Sequence, residues 1–578
     1  MSSCGEKPYP NFFQMYQING AGSRSCRFRV NFLLALLVVF SSCGSNAVEE
    51  RALPGEMDDR VKVSIEALMA TIKTDKRLAD SLSLPFVAAL QFFYKENKFQ
   101  PVWSSREAWK PFVDSFTNYL SSCKRDGLFP EDYKYSEIAS LLKQINSDSL
   151  LRLQPATWAK ADLKLTNAFF HVLQDLGQGR LQQDSSEWKG KAGRQSDFFT
   201  ANLNKLQGGA GLSSILNNVQ PDYKFYDALK QGLPSFVDSM DNTYYTYVSY
   251  PGKDSIAVLK KLLKRLSESG FSIPDKQPDS TMLAKLLLTY QKKRGLKQTG
   301  KLSQGLVNVL NNTDQERFKR IAITLDKYKQ MPPVLPARYI WVNLPSYKLQ
   351  VWDSDSLAME SKVIIGRSTT PTPVINSEIS DIIVFPTWTV PNSIIVKEIL
   401  PGLKKNPGYL ARKGLGLFSN KGDAINPYTV NWSKYNKGIP YLVRQGSGDN
   451  NALGVIKFNF KNPYAVYLHD TNQRYLFKNN DRSLSHGCVR VQDWEKLAAH
   501  IMRNDSLQST KIDSTAATYD SIVTWINRKE RHVIAIKNKL PVFIRYFSCE
   551  GINRSIKFYD DIYGEDKRLR EQYFSQNR

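Results

Sequence analysis

The sequence predicts an α+β multidomain chain: a helical scaffold domain, then a compact three-helix unit, then a mostly β domain interrupted by an inserted cap. Three observations predict it. Apolar residues recur at helical spacing from Val61 to about Asn312, and the period switches to two from Tyr339 onward. A Gly/Lys-rich stretch, Pro391 to Pro440, breaks the alternating region. At 578 residues the chain is long enough for about three or four cores.

The first element is an address. Arg24, Arg27 and Arg29 precede the apolar run Phe32-Leu33-Leu34-Ala35-Leu36-Leu37-Val38-Val39-Phe40. This run is far short of the ~20 residues that cross a hydrocarbon core, and it suits a signal-peptide core. Ser41-Ser42-Cys43-Gly44 resembles a lipoprotein processing site, which implies diacylation at Cys43; Met15 is an alternative start. The expectation is an exported, periplasmic or cell-envelope protein anchored to a membrane through Cys43. Residues 1–43 are read as the signal and 44–60 as a small, polar, acidic tether. No later run is long and apolar enough to cross a membrane.

Residues 61–250 read as helical, with Phe92, Phe93, Tyr94, Phe99 and Trp103 as core aromatics. Turn signals fall at Lys124-Arg125-Asp126-Gly127 and Asp184-Ser185-Ser186. In residues 251–315, Ile256, Leu259, Leu262, Leu263 and Leu266 form one helical stripe. Leu283, Leu286, Leu287 and Tyr290 form a second, and Leu306, Val309 and Leu310 a third. Residues 316–550 hold the alternating segments, among them Tyr347–Asp353 and Ser361–Gly366. The cap is placed at about 391–440, and its Lys397, Lys404, Lys405, Arg412 and Lys413 suit acidic groups as well as solvent. Residues 551–578 form a C-terminal segment.

The charge is +24, from 79 basic and 55 acidic residues, and it is spread along the whole length. With no nucleic-acid signature, this favours an anionic surface or polymer over nucleic acid. There is no zinc spacing or phosphate loop, and no metal or organic cofactor is expected. The six cysteines show no framework spacing; Cys123 and Cys549 are expected to be reduced and structural.

The chemistry concentrates in one window. Tyr467-Leu468-His469-Asp470-Thr471 is followed by Ser485-His486-Gly487-Cys488-Val489-Arg490, and two of the five histidines lie here. A thiol attacks an acyl carbon as thiolate, and imidazole is the usual acceptor of its proton. Tyr464–His469 reads as a strand that places Ala465, Tyr467 and His469 on one face. Gly487 lets the backbone approach a substrate beside Cys488. His486, Arg490 and a helix starting near Asp493 are expected to favour the thiolate. A lone buried cysteine is usually inert; it is the combination with His469, Gly487 and Arg490 that reverses this.

These two motifs resemble the active site of the L,D-transpeptidases with a YkuD-type catalytic domain. Further stretches resemble the large YcbB-like branch: Pro371–Ile375, Phe385–Ile394, Arg444–Gly448, Leu453–Phe460 and Asp560–Asp566, with Asn97–Trp103 and Asp126–Pro130 in the helical scaffold. The N-terminus is of the lipoprotein type found in Bacteroidetes. Phe385 stands where the resemblance expects asparagine, and Ser447 where it expects proline. The resemblance makes residues 251–315 a peptidoglycan-binding-like domain and residues 316–550 the catalytic domain. It implies that Cys488 is the nucleophile and His469 the proton acceptor and donor, with Tyr467, His486, Gly487 and Arg490 in support. The backbone N–H groups of Gly487 and Cys488 are candidates for the oxyanion hole. The implied partners are peptidoglycan stem peptides as donor and acceptor, with carbapenem-type β-lactams as covalent inhibitors. The implied reaction is 3→3 cross-linking through a Cys488 thioester, with release of D-alanine. L,D-carboxypeptidase action or attachment of a wall protein would use the same thioester. A papain-like peptidase is disfavoured by its opposite order of cysteine and histidine. A non-catalytic, lipid-anchored wall scaffold is the reading of another class.

Overall fold

The computed structural model describes residues 54–71, 85–181, 195–273, 278–332, 334–507 and 517–575. The signal segment, Cys43 and the Asp184–Ser186 turn lie outside the described residues. The helical region centres on α1 (Pro155–Gly177), whose Trp158, Leu165, Phe169, Phe170 and Leu173 are buried. Proline at its first turn suits a helix start, where the missing N–H has no helical partner to lose. Asp162, midway along α1, organises the Asn97–Trp103 motif. It accepts from the Val102 and Trp103 amides at 2.9 Å each and from the Tyr94 hydroxyl at 2.5 Å. Burial pushes its carboxyl up to about 6 against these donors. Phe93, Tyr94 and Trp103 are core, whereas Phe92 is 40% exposed.

Three helices form the next unit: α2 (Ser255–Glu268), α3 (Ser280–Lys293) and α4 (Gln304–Asn311). Asp254, Asp279 and Ser303 cap them by accepting from first-turn amides. Leu262, Leu266, Leu287, Tyr290 and Leu310 bury as a shared core. Ile256 and Val309 do not belong to it: they are 59% and 38% exposed, because both lie at the rim of their stripe.

Helix α5 (Asp314–Lys329) leads into the sheet. Its strands are β1 (Arg338–Asn343), β2 (Lys348–Asp353), β3 (Ser356–Gly366), β4 (Ile375–Val384), β5 (Ile456–Phe460), β6 (Leu468–His469), β7 (Ser483–Ser485), β8 (Val489–Val491), β9 (His532–Ala535) and β10 (Pro541–Arg545). The order is β5-β6-β8-β3-β2-β1-β10-β4-β9, with β5 also pairing β4, so the path closes on itself. β6 runs parallel to β8, β7 to β3 and β10 to β1. Inward residues such as Ile340, Val363, Ile382, Phe458 and Val489 fill the interior. The alternating pattern of the sequence is the signature of this packing.

Between β4 and β5 the chain leaves the sheet. Strands Trp388–Thr389, Gly416–Phe418 and Leu442–Gln445 make a small sheet of their own, with short helices Leu400–Lys405 and Tyr409–Arg412. This cap has a separate core of Val390, Ile399, Leu403, Leu417, Trp432 and Val443. The C-terminal segment folds back onto the chain. Asp566 receives Lys327 Nζ of α5 at 3.0 Å, and Tyr546 donates to Asp561 at 2.6 Å. Cys123 and Cys549 are free, buried thiols. Burial pushes the Cys549 thiol up to about 12, and it lies 3.1 Å from the Thr324 hydroxyl.

Candidate active site

β6 and β8 lie side by side and in parallel, with Leu468 opposite Val489 and His469 opposite Arg490. This pairing brings the two distant motifs together. The approach to β6 differs from the six-residue strand the sequence predicts, and only Leu468–His469 is strand. Asn462 is the cause. Its Oδ1 accepts from the Tyr464 and Val466 amides at 3.0 Å, and its Nδ2 donates to the Val466 carbonyl at 2.8 Å. The chain therefore turns, with Ala465 at φ +53°. The Cys488 thiol donates to the Ala465 carbonyl at 3.8 Å.

The Cys488 loop is pinned from below. Ser485 Oγ accepts from the Gly487 amide at 3.1 Å and donates to the Cys488 carbonyl at 2.6 Å. Thr372 Oγ1 donates to the Gly487 carbonyl at 2.7 Å and accepts from the Gly366 amide at 2.9 Å. Tyr563, from the C-terminal segment, donates to the Gly366 carbonyl at 2.8 Å. Gly487 holds φ +125°, a conformation that side-chain-bearing residues rarely adopt. Gly366 has no room for a Cβ, which would lie 2.2 Å from the Thr370 carbonyl oxygen. Because Ser485 already receives the Gly487 N–H, that group is withdrawn from the expected oxyanion pair. The Cys488 N–H has no acceptor among the described residues.

Tyr467 bridges the two motifs. Its hydroxyl lies in the field of the Cys488 sulfur and of the Trp388 indole at the foot of the cap, and burial, followed by the sulfur, holds its pKa well above the ordinary value. Its ring lies 5.5 Å from the His469 ring, edge to face. His469 is buried, and its Nδ1 has no hydrogen-bond partner among the described residues. Burial, followed by the Arg490 and Lys457 charges, lowers its imidazole to about 3, while carbonyls near Asp470 and Leu453 oppose the shift. It is therefore uncharged near neutrality. Asp470, next to it, is fixed by Arg474 Nη2 at 2.7 Å and by the Val455 amide at 3.1 Å.

The half-buried Cys488 carries a thiol rather than the thiolate the sequence suggests. Burial raises its pKa above the ordinary value, and hydrogen bonding from Tyr467 and the Lys457 and Arg490 charges only partly offset this. The His486 Nε2 pairs with Glu398 of the cap at 2.5 Å, with Arg367 4.0 Å from the same carboxylate. Arg490 stays beside the thiol, donating to Gln473 at 3.1 Å, and its Nε is buried with no partner among the described residues. A neutral imidazole that reaches a neutral thiol can act as a general base at the moment of attack, without a standing ion pair. Among the described residues no cluster of three or more histidine, cysteine or acidic side chains could hold a metal.

Sequence reading missed Ser485, Thr372, Lys457, Glu398 and Tyr563. Thr372 and Tyr563 lie within stretches that carry the resemblance, but only the fold shows that they hold the nucleophile loop.

Comparison with known proteins assigns two regions of the chain to known domain families. Residues 337–513 match the family model of the L,D-transpeptidase catalytic domain, and residues 88–233 that of the Scaffold domain. A Haemophilus influenzae protein assigned by name to the L,D-transpeptidases is 35% identical over 230 residues. That match spans 40% of this chain and 45% of the relative, less than half of either. A solved L,D-transpeptidase from Mycobacterium smegmatis aligns over 36% of this chain and 58% of its own, at 8% identity and a TM-score of 0.17. The Ldtfm–avibactam carbamoyl enzyme aligns over 40% of this chain and 63% of its own, at 12% identity and a TM-score of 0.16. Likenesses this slight carry no argument.

Proposed function

The chain carries an L,D-transpeptidase catalytic domain, and on that premise we propose that it forms 3→3 cross-links in peptidoglycan through a Cys488 thioester. The observation that carries the proposal is the meeting of Cys488, Tyr467 and His469 across β6 and β8. The donor is a tetrapeptide stem with a diamino acid at its third position. His469 takes the Sγ proton as sulfur bonds to the carbonyl carbon at the L-centre of that residue. The negative charge passes to the carbonyl oxygen, and we assign the Cys488 N–H as the donor that receives it. Collapse of the tetrahedral species breaks the amide bond, and the imidazolium gives its proton to the departing D-alanine. The side-chain amine of a second stem then attacks the thioester, passing its proton to His469 and restoring the thiol.

Arg490, half-buried with an unpartnered Nε, is the side chain we assign to a stem carboxylate. The contact of Glu398 on the cap with His486 supports reading the cap as a cover over the thiol. The run Phe32–Phe40 before Ser41-Ser42-Cys43-Gly44 supports export and lipid attachment at Cys43 as part of the same proposal.

The test is incubation with a disaccharide-tetrapeptide and analysis of the muropeptides. A 3→3 dimer with loss of D-alanine supports transpeptidation. Tripeptide alone assigns the thioester to water and the enzyme to L,D-carboxypeptidase action. No product, from a protein that still binds sacculi, favours the non-catalytic scaffold.

A further inference from the structure

Lys457 belongs to the Leu453–Phe460 stretch, and no step above uses it. It sits on β5 directly opposite His469 of β6. Its Nζ lies 3.9 Å from the centroid of the Tyr467 ring, the same ring that faces His469 at 5.5 Å and whose hydroxyl lies in the field of the Cys488 sulfur. The residue is half-buried, yet among the described residues its ammonium meets no carboxylate at ion-pair distance and no hydrogen-bond acceptor. An ammonium taken from water without such a partner is costly. Contact with an aromatic face returns only a fraction of that cost. What remains in its field is the sulfur of Cys488 and, more weakly, Asp381. Asp381 is itself occupied by Asn459 Nδ2 at 2.6 Å and by the Ser380 hydroxyl at 2.7 Å.

We propose that Lys457 is an electrostatic positioning residue of the reaction, whose ammonium, seated on Tyr467, stabilises negative charge on Cys488 and keeps His469 unprotonated until attack. This rests on the reading of Cys488 as nucleophile. The same cation acts on both partners with one sign: it favours thiolate over thiol, and neutral imidazole over imidazolium. As sulfur bonds to carbon, the negative charge moves to the carbonyl oxygen and stays within the site, so the cation remains useful through the tetrahedral stage.

The test reads the thiol directly and needs no peptidoglycan. Cys488 alkylation by iodoacetamide is followed against pH by peptide mass mapping, which separates it from Cys123 and Cys549. Lys457→Met and Lys457→Gln are expected to move the midpoint to higher pH and to slow alkylation near neutrality by roughly three- to tenfold. Lys457→Arg restores both, and thermal midpoints show that each variant is folded. A merely structural role would leave the pH midpoint where it is, and a folded Met variant that titrates like wild type overturns the proposal. If neither neutral variant folds, wild-type protein decides the matter. Iodoacetate should gain on iodoacetamide relative to free cysteine at low salt and lose that advantage as salt screens the cation; a salt-independent ratio overturns the proposal. Because alkylation and muropeptide formation are separate readouts, an active enzyme with an unmoved midpoint refutes the Lys457 role alone. An inactive enzyme with a moved midpoint refutes the proposed reaction alone.

Discussion

Thr372→Val removes one oxygen from beneath the nucleophile loop and changes little else. Thr372 is 2% exposed, and its hydroxyl serves two main-chain groups, the Gly487 carbonyl at 2.7 Å and the Gly366 amide at 2.9 Å. Valine keeps the shape but offers neither contact. Each buried group left without a partner costs about 1–3 kcal/mol, which puts the pair at about 2–6 kcal/mol. Water cannot readily repair the loss, because the Gly366 Cα faces backbone so closely that a Cβ would lie 2.7 Å from the Thr372 amide nitrogen. The cost falls on the segment that carries Cys488, so alkylation and cross-linking should fall by more than global stability alone explains. The assay pairs urea denaturation with the Cys488 alkylation rate, and Thr372→Ser, which keeps the hydroxyl, is the control. A valine variant within about 0.5 kcal/mol of wild type, with an unchanged alkylation rate, would refute the claim that this hydroxyl holds the loop.

Two further outcomes are expected. The imidazole of His469 titrates near 3 in the fold against about 6.5 in the unfolded chain, so between those values the unfolded state binds the extra proton and stability falls with acidification. From about pH 7 to about pH 5 this contributes a loss of roughly 2 kcal/mol. Chemical denaturation of His469→Gln should lack that slope; an identical slope in both proteins contradicts the buried, neutral imidazole. Glu398→Gln weakens the cap contact at His486, where both groups are substantially solvated, so the thermal midpoint should barely move. Labelling of Cys488 by a bulky maleimide should nevertheless quicken, and unchanged labelling would show that the contact does not hold the cap.

Periodicity made the architecture legible. The stripes of α2 to α4 and the alternation of β2 and β3 each report a buried face, because burial is what imposes the period. The proposed catalytic pair stood out because cysteine and histidine in neighbouring motifs have few other uses. Three features were hidden. Asn462 breaks the strand expected before His469 through its own side-chain hydrogen bonds, which no periodicity records. The raised thiol and lowered imidazole follow from burial, which sequence does not record; Arg490 does favour the thiolate as expected, but burial outweighs it. Lys457, in an alternating strand, reads as an outward-facing lysine until the closed sheet sets it over Tyr467. Phe385 shows sequence and fold in tension. It adopts φ +50°, where asparagine is tolerated, yet it is only 5% exposed within the sheet core. Burying its ring stabilises by about 1.5–3 kcal/mol, enough to offset a backbone cost of about 1–3 kcal/mol.

The central claim is that Cys488 is the nucleophile, and intact mass with peptide mapping tests it most directly. Wild-type protein incubated with a carbapenem-type β-lactam should gain one covalent adduct, mapped to the peptide containing Cys488, and should lose cross-linking in step. The Cys488→Ala protein, folded by its thermal midpoint, should gain no adduct and make no product. An adduct on another residue, or turnover retained in that folded alanine variant, would contradict the account.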